Sequence, residues 1–206
     1  MSTPAAKTHR TQQERSERTR ELLLDATVSC LVELGYAHTT VNEICQRAGL
    51  SRGAQQHHFT TKAELMTSAL EHLFDRLGKQ ILAATEHLPP GPERLDQGID
   101  LLWQAYSGTL STAAVELWVA ARTDAELRAS LLPVDRALGH ATLEFYRQIV
   151  GTEVEEQQLE TLLLLTVNLV RGLALDAMIG GDAARRTALL AEWKAIVLDQ
   201  YRRVAG

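Results

Sequence analysis

Two cysteines among 206 residues exclude a disulfide framework, and neither has a second Cys or His at zinc spacing. Cys30 and Cys45 fall on apolar helical faces, where a small buried core side chain is the ordinary role and a redox switch the alternative. Aromatic residues make up only 5% of the chain while Leu and Ala are abundant, a balance that favours helix over sheet. No stretch alternates apolar and polar residues over a useful length, so no strand is predicted. A glycine-rich phosphate loop, a nucleophile elbow, a His-Glu-x-x-His pair and clustered Cys/His ligands are all missing, which argues against an enzyme and implies neither metal nor cofactor. The N-terminus lacks an apolar signal core, and the apolar run of the 160s is interrupted by Asn168, Arg171 and Asp176. The expectation is therefore a cytoplasmic chain with no membrane partner.

An excess of positive charge is missing too: the net charge of −5 excludes a generic polyanion binder. The charge is unevenly spread, however. Residues 1–62 carry eight Lys/Arg against six Asp/Glu, and the remainder 13 against 20. His9, His38, His57 and His58 also lie in the first part. A mildly basic head on an acidic body suits a protein that touches nucleic acid at one end.

What is present is helix after helix. Thr11-Gln12-Gln13-Glu14 reads as a capping box opening a first helix, with Leu23, Ala26, Thr27, Cys30, Leu31 and Leu34 as its inner stripe and Gly35 as its end. Thr40-Val41-Asn42-Glu43 reads as a second box, followed by Ile44, Cys45 and Ala48 at helical spacing. Gly49 supplies the positive φ of a helix C-terminus, Leu50 fills the corner, and Ser51 caps the next helix. Thr61-Lys62-Ala63-Glu64 is a further box, so a fourth helix starts almost at once and runs towards Glu86. Pro89-Pro90-Gly91-Pro92 is the clearest break in the chain. Beyond it, helices are predicted over about 94–107, 111–122, 124–150, 155–180 and 184–203, with Pro133 kinking or splitting the third of these. The predicted fold is all-α with about nine helices, a three-helix head over residues 1–62 and a larger helical body over 63–206 that shares the fourth helix with it.

Helix, short turn with glycine, helix is the helix-turn-helix plan, whose second helix enters the DNA major groove. Arg52, Gly53, Gln55, Gln56 and His57 follow the Ser51 cap, where base edges are read: Gln suits adenine and Arg suits guanine. Gly53 either lets backbone approach the duplex or simply allows close helix packing. Thr40 and Lys62, at helix N-termini, are placed for phosphate contact, with Tyr36 and His38 beside them. Lys7, Arg10 and Arg15, in or beside the N-terminal arm, either reach the DNA backbone or are solvated charges.

This stretch resembles the DNA-binding domain of TetR-type bacterial transcriptional regulators. The resemblance rests on Leu34-Gly35-Tyr36, Thr39-Thr40-Val41, Glu43-Ile44, the run Arg47-Ala48-Gly49-Leu50-Ser51-Arg52-Gly53, His58-Phe59 and Lys62-Ala63-Glu64-Leu65. Gln55 and Gln56 stand where the family usually carries an apolar or aromatic residue and then a tyrosine. By the resemblance, Phe59 staples the recognition helix to the next one, while His58 touches phosphate or caps. The resemblance also implies a ligand-responsive regulator, usually a repressor, that binds a near-palindromic duplex DNA operator as a homodimer. The alternative is a DNA-binding protein without a small-molecule effector.

For the dimer the candidates are Leu162 and Leu169, in a helix apolar on nearly every side, and Leu189, Trp193, Ile196 and Val197 in the last helix. A small, mostly apolar effector is assigned to Trp103, Tyr106, Leu110, Trp118, Phe145 and Met178, with Asn168 or Arg171 orienting it. Glu116, Asn168, Arg171 and Asp176 are polar groups set in apolar helices, so each must meet a partner, water or ligand.

Overall fold

The computed structural model describes residues 11–150 and 156–205. Among them are nine helices and no strand: α1 (Gln12–His38), α2 (Val41–Ala48), α3 (Arg52–His58), α4 (Lys62–Thr85), α5 (Pro92–Tyr106), α6 (Thr109–Ala121), α7 (Ala125–Val150), α8 (Glu156–Met178) and α9 (Ala183–Ala205). Lys7 and Arg10 lie outside the described residues.

The capping residues form as their chemistry dictates, with two differences. At Thr11 both halves of the box are made: Thr11 Oγ1 accepts from the Glu14 N–H and a Glu14 oxygen accepts from the Thr11 N–H. At Thr40 the box is one-sided, because only the bond from the Glu43 N–H to Thr40 Oγ1 forms. At α4 the Glu64 carboxylate reaches one residue further than expected, accepting from the Thr60 N–H at 2.7 Å. Gly49, at φ 67 and ψ 31, ends α2 in the left-handed conformation and directs the chain into α3.

Gly35 breaks α1 with φ 71 and ψ 170, after which Tyr36–His38 form one last turn. The backbone conformation requires glycine there. The φ is unfavourable for other residues, and a Cβ would come within 2.8 Å of Glu116 Oε2. Pro133 does not split α7. The helix runs through it, with Pro133 on the exposed face while Leu131, Val134 and Leu138 hold the inner one.

Two apolar cores result. One runs without interruption from Leu23, Ile44 and Phe59 of the head through α4 to Leu117, Leu127 and Leu138 of α6 and α7. The other joins α5, the end of α7, α8 and α9 around Ile99, Tyr146, Val170 and Val197. Lys194 ties α9 to Asp96 and Asp100 of α5 at 3.0 and 2.7 Å. Asp176 meets Arg186 at 3.0 Å across the α8–α9 turn, which answers one of the four stranded polar groups.

Candidate nucleic-acid interface and effector cavity

α3 presents Arg52, Gly53, Gln56 and His57 to solvent on one side. A Cβ added at Gly53 would meet only Ser51 Oγ, at 3.8 Å, so close packing is not what requires a glycine there. Gln55 is a correction to the sequence reading. It is 4% exposed and its Nε2 donates to the Phe59 carbonyl at 2.9 Å. Gln55 and Phe59 are four residues apart and share the inner stripe of the turn, so the amide cannot reach a base edge. Here Gln55 completes the buried end of α3, and Gln56 is the glutamine left exposed to solvent. His58 is half-buried with its ring edge-on to His57 at 5.3 Å. Burial, then the neighbouring His57 and Arg20, hold its pKa below the ordinary 6.5. Its protonation therefore works against folding: this contribution is intact above about pH 6.5 and is lost as pH falls through the lowered value.

The phosphate candidates divide. Thr40 and His38 are exposed. Lys62 is not free: its Nζ donates to the Tyr36 carbonyl at 3.2 Å and sits 4.1 Å from the Tyr36 ring centroid. Burial lowers its pKa, with Asp124 opposing the shift. Tyr36 is likewise occupied. Its N–H donates to Glu116 Oε2 at 2.8 Å and its hydroxyl to Asp124 Oδ2 at 2.7 Å. Burial first, then Asp124, push the phenol well above its usual pKa. Tyr36 and Lys62 thus form a bolt between head and body. Sequence reasoning missed Asp124, 88 positions away, and left the Glu116 partner open.

Further along α4, that helix together with α5, α7 and Leu110 of α6 lines a cavity of about 250 Å³. Tyr106, Leu110 and Phe145, three of the sequence candidates, line it together with Phe74, Leu77 and Ile81 of α4. A second space of about 10 Å³ shares Phe74, Tyr106 and Leu110 as its wall and ends on Trp118 and Arg171. The guanidinium lies 4.6 Å from the Trp118 ring and 5.4 Å from the Tyr106 ring. Trp118 is oriented by its Nε1, which donates to Asp135 at 3.1 Å. Three predicted lining residues stand elsewhere. Trp103 packs on the second core, Met178 is exposed at the end of α8, and Asn168 is exposed with its Nδ2 donating to the Leu164 carbonyl.

Residues 23–69 match the family described as bacterial regulatory proteins, tetR family. Over 177 residues the chain is 31% identical to the HTH-type transcriptional regulator CymR of Pseudomonas putida, covering 85% of this chain and 87% of CymR. The chain belongs to the TetR family of transcriptional regulators. Solved structures share its fold at lower identity. A protein of Saccharomonospora viridis in complex with choline superposes with a TM-score of 0.67 at 14% identity, covering 88% of this chain and 96% of that one. The fatty acid degradation regulator FadR of Bacillus halodurans gives 0.63 at 17%, covering 87% and 94%.

The regulator also carries an uncovered apolar face. Leu164 and Leu175 on α8 lie on one stripe with Leu165 at its edge, Gly172 between them and the exposed Ile179 just past the helix end, and Leu189 and Ile196 on α9 are seven residues apart. Leu162 and Leu169 are half-buried at its margin. Val197 is a correction: it is 0% exposed within the second core and serves the protomer's own interior. Trp193 is half-buried, packed on that core with its Nε1 donating to Thr166 Oγ1. Residues 160–178 are also long and apolar enough, by composition, to cross a membrane, a test that core helices pass as well. Its inner side packs through Leu163, Val167, Val170 and Leu173.

Asp124 gives a first test of the bolt. Its carboxylate accepts from the Leu127 N–H at the start of α7 and from the Tyr36 hydroxyl, in that order of effect, and both hold its pKa below the usual carboxylate value. That contribution is present above the usual carboxylate range and lost as pH falls below it. Asp124→Ala removes a helix cap of ~1 kcal/mol and a solvent-screened bond worth less. The expected loss in urea denaturation is on the order of 1–2 kcal/mol. Asp124→Asn should recover most of it by keeping the cap.

Proposed function

We propose that the regulator is a repressor that binds a near-palindromic operator as a homodimer in the bacterial cytoplasm and is released by a small, mostly apolar molecule. Residues 1–62 act as the reading head and 63–206 as the effector and dimerisation part. The observation that carries the reading is the shared α4. Its first half, through Leu65, Met66 and Leu70, belongs to the core of the head, and its second half, from Phe74 to Leu82, walls the cavity. A ligand that displaces the second half changes the spacing of the two recognition helices. Half-sites lie one helical turn of DNA or a multiple apart, so a shift of a few ångströms loses contacts at one of them. The choline held by the S. viridis protein supports a small-molecule effector on this fold, and the cavity favours it over constitutive binding.

The test is a titration of a cavity binder with and without operator. Operator must weaken the ligand by the same factor that the ligand weakens operator, and equal affinity in both titrations would reject induction. The head has its own test. Gln56→Ala is expected to relax base preference at one position of the half-site, by ~1–3 kcal/mol of discrimination for a lost bidentate contact. Gln55→Ala should leave the selected motif unchanged and lower stability instead, because its amide serves the Phe59 carbonyl. Selected-site sequencing separates the two, and a motif altered by Gln55→Ala but not by Gln56→Ala would reverse the assignment.

A further inference from the structure

The wall of the larger cavity is almost wholly apolar, with Thr142 and the exposed Glu144 as its polar members, and the adjoining small space that shares Phe74, Tyr106 and Leu110 with it ends on a cation, Arg171. Arg171 projects from α8 onto the faces of Trp118 and Tyr106. Its Nε is buried and has no hydrogen-bond partner. No carboxylate among the described residues pairs with it, whereas Asp176 on the same helix is engaged by Arg186. Asp135 of α7 accepts from the Trp118 indole through Oδ1 and makes no ion pair with Arg171 among the described residues. The two ring faces stabilise the charge without using up its N–H donors, because cation–π attraction acts perpendicular to the plane in which those donors point. The result is a planar fork with unspent donors at the edge of an apolar chamber. Arg is the side chain whose donor geometry matches a carboxylate.

We infer that the effector is an amphipathic monocarboxylate, with its apolar body in the α4–α5–α7 cavity and its carboxylate on Arg171. This rests on the induction reading above and adds the ligand's chemistry to it. The space beside Arg171, about 10 Å³, holds something the size of one water and nothing as large as a ring. A terminal carboxylate oxygen fits that end, and the larger chamber takes the hydrocarbon. An amine head is disfavoured at the same place by the fixed guanidinium. Glu144 at the rim of the larger chamber does not alter this sign, since it is exposed and lies 3.4 Å from Arg147. The cavity admits either an alkyl or an aryl body, so the carboxylate is the shared chemistry and its source is left to the test.

The probes are octanoate and naphthalene-2-carboxylate, each set against its own primary amide, with octylamine as the cationic control. Binding is read by calorimetry and by melting temperature, and function by release of fluorescent operator. The acids are expected to bind at least ~10-fold tighter than their amides, the effect of gaining a charge-assisted pair. Arg171→Met should remove that preference while leaving amide binding nearly unchanged, and Arg171→Lys should restore part of it. Which acid binds tighter assigns the source as aliphatic or aromatic. Amides or octylamine binding as tightly as the acids would overturn the proposal, as would an acid preference that survives in Arg171→Met. If such neutral or cationic probes nonetheless release operator, induction stands and only the carboxylate assignment falls. If no probe binds and operator is never released, both fall. The acid–amide comparison on the unaltered protein needs no variant, so poor folding of Arg171→Met leaves the proposal falsifiable.

Discussion

Glutamate in place of Leu189 or Ile196 is expected to leave each protomer folded and convert the regulator to a monomer that no longer holds its operator. Both side chains are close to half exposed in the single chain, 44% and 45%, so a charge there costs the isolated protomer little. In a two-fold interface the same residue occurs twice, and each substitution therefore buries two charges. Breaking complementarity with one uncompensated buried charge costs at least ~3 kcal/mol, so the pair costs about 6 kcal/mol. That raises the dimer dissociation constant by roughly 10⁴-fold. Light scattering should give the monomer mass at micromolar concentration, with an unchanged helical spectrum. Operator affinity should fall with it, since one head contacts only a half-site. Val197→Glu is the internal contrast: the side chain is fully buried in the protomer, so that variant should unfold rather than dissociate. A Leu189→Glu variant that stays dimeric would move the interface off this face. A monomer that keeps its operator affinity would end the half-site argument.

Local physics made most of the fold legible, and long-range physics withheld the rest. Helix existence followed from caps and apolar spacing: Thr11, Ser51 and Thr61 each cap the helix expected of them, Gly49 takes the positive φ that ends α2, and Gly35 takes one that breaks α1 a turn before its end. Composition excluded strands for the same local reason. The choice between Gln55 and Gln56 was beyond reach. It depends on how α3 is rotated against the core, and a helix of seven residues carries too short a pattern to set that phase. Tyr36 and Lys62 read as phosphate ligands from their positions alone, and only the structure shows that the Tyr36 N–H and hydroxyl meet Glu116 and Asp124 while Lys62 donates to the Tyr36 carbonyl. On α9, Trp193 and Val197 belong to the same apolar band as Leu189 and Ile196. Periodicity defines that band, but not how much of it the protomer's own α5 and α8 cover. Arg171 is the reverse case. A charged residue in an apolar helix announces that it needs a partner, and the cavity at its tip is what the structure adds.

Phe59→Ala is expected to be the most damaging single truncation in the head, at about 3–5 kcal/mol. The ring is 2% exposed and closes the C-terminal end of α3 against α1 and α4, with the Arg20 guanidinium 5.5 Å above it. Its backbone is pinned on both sides by one residue, since the Phe59 N–H donates to the Gln55 carbonyl and the Phe59 carbonyl accepts from Gln55 Nε2. Little can collapse into the space left by the ring, because these bonds and the α4 cap beyond them fix the surrounding chain. The consequence should not stay in the head. Phe59 belongs to a core that continues through α4 into α6 and α7, so the helices holding Leu117 and Leu138 melt with it. Urea denaturation should show the midpoint falling with an unchanged slope and no separate early transition. Phe59→Leu, which keeps most of the volume, should cost under ~1.5 kcal/mol and retain operator binding. An early transition of small amplitude with the main one unmoved would mean that the head unfolds on its own. Strain on α4 would then not reach the recognition helix as a rigid displacement, and induction would have to act by loosening the head rather than by re-spacing it.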